Sequence, residues 1–288
     1  MGVVPPESKE AEASSSNPHE DVLGVPPPAY TPLPEASSSS SAPENPDIPQ
    51  SKAISARTSV NLTGPLEVQG SITASSSITL KSRIVVQGKC SSSSSVTLSD
   101  NITIQGKIDS SSKILLRDGV RVEGKIDGSS SIDIIGGNGG VWIGGKIDAS
   151  GPLTFDGTGV DEEKGVQGVH GAVSVQGKVD TSSNLDIRGN VEIEGDVTVS
   201  GKFNIVSATM SQDEGTVRFG GKVSGRNGAV IEGHVIAEKN FLVKGNLKIV
   251  GRLYVKGDLE VRGSVALGKG SELVVDGKRT IHGTLGEV

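Results

Sequence analysis

The chain has 288 residues and a formal net charge of −6, with 40 glycines, one cysteine, four Phe, two Tyr and one Trp. So few aromatic side chains exclude a core built mainly from large rings, and one cysteine excludes a disulfide framework. No run of about 20 apolar residues and no basic-then-apolar opening segment is present, so we predict a cytoplasmic protein with no signal peptide and no intrinsic membrane anchor.

Residues 1–53 form a tail whose composition differs from that of the rest of the chain. The tail is rich in Pro, Ser and Glu, and its acidic residues account for the whole net charge, so the remaining chain is neutral. A neutral body gives no electrostatic reason to expect nucleic acid as a partner. The tail has no apolar periodicity and cannot bury enough surface to offset its ordering entropy, so we predict that it is disordered.

A short motif within the tail suggests a partner. In "VPPPAYTPLP", residues 25–34, Pro27, Pro28, Ala29 and Tyr30 match the PPxY ligand of WW domains. Prolines pre-set the polyproline II conformation, so little entropy is lost when they and the tyrosine ring dock into aromatic-lined grooves. The motif predicts binding of a WW-domain protein through Pro27, Pro28 and Tyr30, and the alternative is an ordinary solvated proline-rich spacer.

The rest of the chain repeats a six-residue unit. In "LDIRGNVEIEGDVTVSGKFNI", residues 185–205, each unit reads aliphatic, any, aliphatic, any, glycine, any. Alternation of apolar and polar residues is typical of strands, and self-similarity at a fixed period is typical of solenoids. We therefore predict an all-β domain over residues 54–288.

A second period, of 18 residues, predicts how the units are arranged. The segments "IVVQGKCSSSSS", "ITIQGKIDSSSK" and "VRVEGKIDGSSS" begin at residues 84, 102 and 120. Three units per turn indicate a three-sided parallel β-helix of about eleven coils. Positions one and three of each unit should point inward and positions two and four outward. Glycine at position five should allow either a positive φ or a close approach between turns.

Insertions interrupt the units in one register only. We label the successive units A, B and C from Val60, and the extra residues 138–140, 159–172, 209–216 and 271–272 each follow an A unit. Loops on solenoids collect along one edge, so we predict that these insertions stack at one corner.

One column of charges could carry chemistry. The C units should stack four aspartates outward beside four lysines: Asp109, Asp127, Asp148 and Asp180, with Lys107, Lys125, Lys146 and Lys178. Carboxylates about 5 Å apart resemble a retaining glycosidase pair or a calcium site. Interleaved lysines favour a solvated ion ladder that fixes the register of the turns.

The insertion "GVDEEKGVQGVHG", residues 159–171, is the most polar irregular segment. It contains Asp161, Glu162, Glu163 and His170, but no second His or Cys stands at a metal-ligand spacing. An exposed loop is the favoured interpretation and a polar site the alternative. We predict no catalytic residue, no cofactor and no metal site.

The repeat also resembles a known family. The VxVxG units, such as "RLYVKGDLEVRGSVALGKG" at residues 252–270, wound in coils of 18 behind a proline-bearing tail, resemble the bactofilins over roughly residues 60–285. The resemblance implies a right-handed β-helix that assembles end to end into filaments without nucleotide, often scaffolding other proteins at a membrane. The chain departs from that family in its corner insertions and in lacking a short apolar anchor. The PPxY motif and serine-rich tail would suit a eukaryotic relative, for example a fungal one.

Assembly is also expected on physical grounds. The units run through Ile281 and Leu285 without a helix or charged block to close the core, and an uncovered end is a template for another end. Head-to-tail contacts give open filaments, and like-end contacts give dimers or nonpolar filaments. We predict a non-enzymatic, self-assembling scaffold, an end-to-end homopolymer with Ile281 and Leu285 in its interface. The alternatives are a polysaccharide-active or carbohydrate-binding β-helix and a monomeric adaptor that presents the tail.

Overall fold

The computed structural model describes residues 48–158, 171–207 and 216–288, together with the backbone of Val160–Asp161 and Val166–Gln167. These residues belong to one compact unit, Asn45–Val288. They form strands and turns only, so none of them builds an apolar helix of membrane-crossing length.

The strands wind into a parallel β-solenoid. Val60–Thr63 pairs in parallel with Ile78–Lys81, which pairs in parallel with Val96–Ser99, and this spacing of 18 residues recurs along the chain. One sheet contains 12 strands, one from each turn, so the solenoid has about 12 turns. The solenoid starts before residue 54, the predicted boundary, because Gln50–Ser51 already pairs with the strand Leu66–Val68. The sequence of Gln50–Ser51 does not fit the repeat, so it did not predict this strand.

The strand pairings fall into three rows, which keep the labels A, B and C. Rows A and B together form a 22-stranded sheet, and row C is the 12-stranded sheet. Two nine-residue strands, Ala229–Ala237 and Leu247–Val255, run through both row A and row B.

The other strands of row A are Val60–Thr63, Ile78–Lys81, Val96–Ser99, Ile114–Arg117, Ile132–Ile135, Leu153–Gly157, Leu185–Gly189, Phe203–Val206, Val265–Leu267 and Leu285–Glu287. The other strands of row B are Gln50–Ser51, Leu66–Val68, Ile84–Val86, Ile102–Ile104, Val120–Val122, Val141–Ile143, Val173–Val175, Val191–Ile193, Val217–Phe219 and Glu272–Val275. The strands of row C are Ile54–Ala56, Ile72–Ala74, Cys90–Ser92, Ile108–Ser110, Ile126–Gly128, Ile147–Ala149, Val179–Thr181, Val197–Val199, Val223–Gly225, Phe241–Val243, Leu259–Val261 and Arg279–Ile281. A short antiparallel ribbon joins Val160–Asp161 to Val166–Gln167.

The core is a continuous column of side chains from positions one and three. Most strands alternate buried, less buried, buried, as the repeat predicts. The column is mainly Ile, Val and Leu, and it includes a cluster of three rings, Phe203, Phe219 and Phe241, whose centroids lie 5.9–6.5 Å apart. Stacked identical positions thus bury one another, and every inner turn depends on its two neighbours.

The corners use glycine for two different reasons. Between rows B and C the glycines stack with φ outside the left-handed region, and a Cβ on Gly106 would lie 2.5 Å from the carbonyl oxygen of Gly88. Close approach is therefore the requirement there. Between rows A and B the chain turns with positive φ, for example 123° at Gly251 and 66° at Asp100.

The four insertions share one place in the order of the rows. Each lies between a row A strand and the next row B strand, such as Ile132–Ile135 and Val141–Ile143. Rows B and C stay in register across every insertion. For example, Ile147–Ala149 pairs with Val179–Thr181 although the long insertion, residues 159–172, lies between them in the chain. Extra chain therefore leaves the core unchanged.

Candidate functional site

The predicted ladder of charges is present on the outer surface of row C. The four aspartates stand opposite one another in successive turns, with Asp109 facing Asp127, Asp127 facing Asp148 and Asp148 facing Asp180. Positions on neighbouring parallel strands lie about 4.8 Å apart, so unpaired carboxylates in this column would repel one another.

Lysines link these carboxylates along the solenoid axis. Nζ of Lys125 lies 2.8 Å from a carboxylate oxygen of Asp127 and 2.7 Å from one of Asp148. Nζ of Lys146 lies 2.7 Å from Asp148 and 3.0 Å from Asp180. Each of these lysines therefore joins two turns, which is the arrangement expected of a ladder that holds register.

The ladder favours the charged forms of Asp148, Asp180 and Lys125. Partial burial opposes ionisation of Asp148, but hydrogen bonds from Lys125 and Lys146 outweigh it and lower the pKa of this carboxyl. The same balance, with Lys146 and Lys178 as donors, lowers the pKa of Asp180. In turn, hydrogen bonds to Asp127 and Asp148 raise the pKa of Lys125. A carboxylic acid that donates a proton needs the opposite shift, a raised pKa.

A groove of about 420 Å³ runs beside the ladder. Its lining combines hydroxyls and carboxylates, among them Ser91, Ser111, Asp109, Asp127 and Asp148. All three of these carboxylates are held by lysine at 2.7–2.8 Å. The groove can donate and accept hydrogen bonds, but its charges are already neutralised.

Inward hydroxyls form a second feature of row C, which sequence reasoning missed. Thr181 donates from Oγ1 to the carbonyl of Gly151 at 2.9 Å and accepts from the amide of Ser183 at 3.1 Å. In the same way, the Ser92 hydroxyl donates to the carbonyl of Ser76, and the Ser110 hydroxyl donates to the carbonyl of Ser94. Each hydroxyl also accepts a hydrogen bond from the backbone amide two residues further along the chain. The signal was present in the sequence as Ser or Thr at position three of three C units, where the other C units have an aliphatic residue or glycine. These hydroxyls tie successive turns together at the corner after row C.

Part of the predicted chemistry lies outside the described residues. Pro27, Pro28 and Tyr30 do so, as do Glu162, Glu163 and His170, and only the backbone of Asp161 is described. In residues 48–158, 171–207 and 216–288, no three His, Cys, Asp or Glu side chains gather in a way that could hold a metal ion.

The final turn contains the predicted interface residues. Ile281 is half-buried at an inward position of row C, and Leu285 in row A is 46% exposed. The terminal Val288 is 77% exposed. The inner turns bury the equivalent side chains fully, since Leu285 pairs with Val265 and the latter is 2% exposed. The end of the solenoid therefore presents apolar surface.

Two charged residues share that end and were not predicted from the repeat. Arg279 pairs in register with the buried Leu259, and Glu287 pairs with Leu267, so both occupy inward positions. No other inward position of the described turns from Val60 to Val288 carries a charge. Both side chains are exposed, and neither makes an ion pair with another described residue. In the sequence, both could have been recognised as charged residues at position one or three of a unit, where the repeat has aliphatic residues.

The opposite end of the solenoid differs from the final turn. Its inward residues Ile54, Ala56, Leu62 and Leu66 are half-buried and uncharged. The two ends thus share apolar character, and only the C-terminal one combines it with charge.

Comparisons with known proteins found no relative. No family model matches the chain, and no curated protein or solved structure matches it. The resemblance to bactofilins therefore stays a prediction from the sequence.

Proposed function

We propose that the chain is a non-enzymatic scaffold of the bactofilin type, which self-assembles through the ends of its solenoid in the cytoplasm and recruits WW-domain proteins through its tail. The observation that carries the proposal is the final turn, where Leu285 is 46% exposed at a position that inner turns bury. A second copy that covers this turn supplies the neighbour that every inner turn already has.

The proposed cross-section is a triangle with one side for each row. Its support is the pairing of each strand with the strand one turn away, as in Ile108–Ser110 with Ile126–Gly128. The corner glycines and the positive φ values mark where the chain changes direction. With about 4.8 Å between strands, about twelve such coils make a rod on the order of 60 Å long.

Strand edges support association as well. Glu272–Val275, Arg279–Ile281 and Leu285–Glu287 are each hydrogen-bonded to the preceding turn and have no strand on the other side within the described chain. Unpaired strand edges above an apolar interior are the surfaces through which solenoids and sheets associate unless they are capped.

A carbohydrate-active function has less support. The four row C carboxylates are bound to lysines, and the pKa values of Asp148 and Asp180 are lowered, which is the opposite of the shift that the proton donor of such a reaction needs. The outward rings of Trp142 and Tyr254, which could stack on a sugar, already contact other side chains. The Arg121 guanidinium lies 3.7 Å from the ring centre of Trp142, and the Tyr254 hydroxyl donates to Asp276 at 2.5 Å.

The assembly test uses the full chain in sedimentation velocity and electron microscopy. We expect the wild type to form species larger than a monomer at tens of micromolar, and Ile281→Asp to reduce them because it places a charge at an apolar contact. Thr280→Asp is the matched control, since Thr280 is the outward neighbour of Ile281 in the same strand. A wild type that stays monomeric contradicts the proposal.

The tail is tested separately. Residues 20–36 fused to an unrelated carrier should bind a WW domain, and Tyr30→Ala should weaken binding at least about tenfold, or about 1.4 kcal/mol. Each WW contact is weak, but an assembly displays many tails, and multivalency raises avidity by about 10²–10⁴ when the partner has several WW domains. Equal binding with and without Tyr30 would make the segment a spacer.

A further inference from the structure

A groove on the outer surface of row A has no part in the proposed end contacts. It occupies about 490 Å³ and crosses four strands of row A, from Phe203–Val206 to Val265–Leu267. A pocket of about 280 Å³ shares Asn204 and Val230 with it and continues to Asp186. We call the two together the row A groove.

The row A groove is long enough for a segment of polypeptide. The outward residues Asp186, Asn204, Val230, Lys248 and Ala266 stand opposite one another in five successive strands. With about 4.8 Å between strands, this column is about 19 Å long, which is the length of about six residues of extended chain.

Small residues give the groove its depth. Gly228, with a φ of 98°, has no side chain at the place where the neighbouring turns have Lys202 and Asn246. The next residue, Ala229, is also smaller than Phe203 and Leu247, which are its partners in the neighbouring turns. The groove is therefore deepest in the turn that carries Val230.

The groove also offers apolar surface on the outside of the solenoid. Val230 and Ala266 are half-buried there, and Val206 is 43% exposed. A small apolar side chain that covers Val230 would remove this surface from water, which favours binding.

Polar groups on the walls have bonding capacity left over. Asn204 donates from Nδ2 to Asp186 at 2.8 Å, so its own carbonyl oxygen can still accept. Asn246 accepts from the amide of Ser264 at 2.9 Å, so its Nδ2 can still donate. The side chain of Asn227 bonds to no described residue. A peptide backbone needs partners of both kinds when it is covered, and these amides supply both.

Two lysines determine which peptide fits. Lys202 lies one turn before Val230 and Lys248 one turn after it. Both lysines are exposed, and neither makes an ion pair with a described residue. The other charged residues of the lining are Asp186, Arg188 and Glu232. Three bases and two acids give the groove a net charge of 3 − 2 = +1, and an acidic side chain placed between the two lysines meets a cation on each side.

Other classes of ligand fit this lining less well. The one aromatic residue in it, Phe203, is fully buried and offers no ring face on which a sugar could stack. A net charge of +1 is too small for a run of nucleic-acid phosphates. Apolar surface with a few convergent polar groups suits a peptide better.

We infer that the row A groove binds an extended peptide segment of a partner protein, about six residues long. An acidic side chain of the peptide lies between Lys202 and Lys248, and a small apolar one covers Val230. The groove lies on the side of the solenoid, so this inference goes beyond the proposed function and rests neither on the end contacts nor on the tail.

A library of fluorescein-labelled hexapeptides tests the specificity. Each pool fixes one residue at one position, and fluorescence polarisation measures its binding to the full chain. Pools with Glu or Asp at the preferred position should bind at least about tenfold more tightly than pools with Lys there. A library in which no pool binds at about 1 mM, or in which acidic and basic pools bind alike, overturns the inference.

Charge reversal tests the location. With the tightest acidic peptide, Lys202→Glu and Lys248→Glu should each weaken binding at least about tenfold, because each brings two acids together. Lys239→Glu is the matched control, since Lys239 is exposed, follows the strand Ala229–Ala237 in the same turn as Val230, and lies outside the groove. The control should change binding less than about twofold. Equal effects of all three substitutions would place the peptide elsewhere.

Asn227→Ala tests how the backbone is held. The side chain has no described partner to lose, so the fold should be retained, which circular dichroism checks, and binding should weaken about fivefold because a hydrogen bond to the peptide is lost. Unchanged binding would contradict the extended-peptide mode. Sedimentation of the same samples reports self-assembly separately, so a monomeric wild type that binds acidic peptides through Lys202 and Lys248 would overturn the proposed assembly and support the groove.

Discussion

The inner turns of the solenoid and its final turn share one sequence pattern but have different surroundings. An inner residue such as Ile193 is fully buried between the turns on either side, whereas Leu285 in the final turn is 46% exposed. Charges differ in the same way, because Asp148 is held by Lys125 and Lys146 from two turns while Arg279 makes no ion pair with a described residue. A turn is thus completed by its neighbours, and the final turn, which has one described neighbour, is where we propose that a second copy binds.

Truncating an inner core side chain should give the largest effect. Ile193→Ala should lower the free energy of unfolding by about 2–5 kcal/mol, because it leaves a cavity that rigid neighbouring turns cannot fill. Glu194→Ala changes the exposed neighbour and should stay within about 0.5 kcal/mol. Chemical denaturation measures both, and similar losses would show that inward and outward positions are misassigned.

Adding a methyl group to a glycine also distinguishes the inner turns from the final turn. Gly106→Ala places a Cβ 2.5 Å from a backbone oxygen of the preceding turn, so we expect destabilisation of about 1–3 kcal/mol. Gly286→Ala in the final turn meets nothing within 4 Å and should change stability by less than about 0.5 kcal/mol. If both variants melt like the wild type, the stacked glycines do not limit the approach of the turns.

Breaking the ladder should have a smaller effect. Lys125→Met removes the link between Asp127 and Asp148, and partly exposed ion pairs of this kind contribute about 0.5–1 kcal/mol. Lys244→Met is the control, since Lys244 is exposed and makes no ion pair with a described residue. Urea titrations at low and high salt compare the variants, and a loss that is the same at both salt concentrations would argue against an ionic role.

The ladder also predicts a pH dependence. The pKa values of Asp148 and Asp180 are lowered in the folded chain, so their contribution is fully present above the ordinary aspartate pKa of about 3.9. It is lost as the pH falls below that value and through the folded pKa. Lys125→Met should flatten the fall in stability below about pH 4, and an unchanged slope would contradict the assignment.

The repeat made most of the fold predictable. The alternation within each six-residue unit predicted the inward and outward positions. The 18-residue spacing predicted which residues stack, and the insertions showed between which two rows the chain accepts extra residues. The ladder followed because identical residues recur in C units. Arg279 and Glu287 were missed because a periodic pattern is recognised by its aliphatic residues, and these two replace aliphatics in the final turn. The use of each glycine was also undetermined, since the sequence does not show that Gly251 needs positive φ as well as close approach, whereas Gly106 needs only close approach.

Hydrogen exchange at two protein concentrations tests most directly whether the final turn is the associating surface. Amides in peptides covering residues 270–288 should exchange fast in dilute protein and more slowly at tens of micromolar, as a second copy covers the exposed strand edges. Peptides from inner turns, such as residues 185–205, should exchange at one rate at both concentrations. Equal exchange of residues 270–288 at both concentrations, in protein that sedimentation shows to be associated, would contradict the account and place the contact elsewhere on the chain.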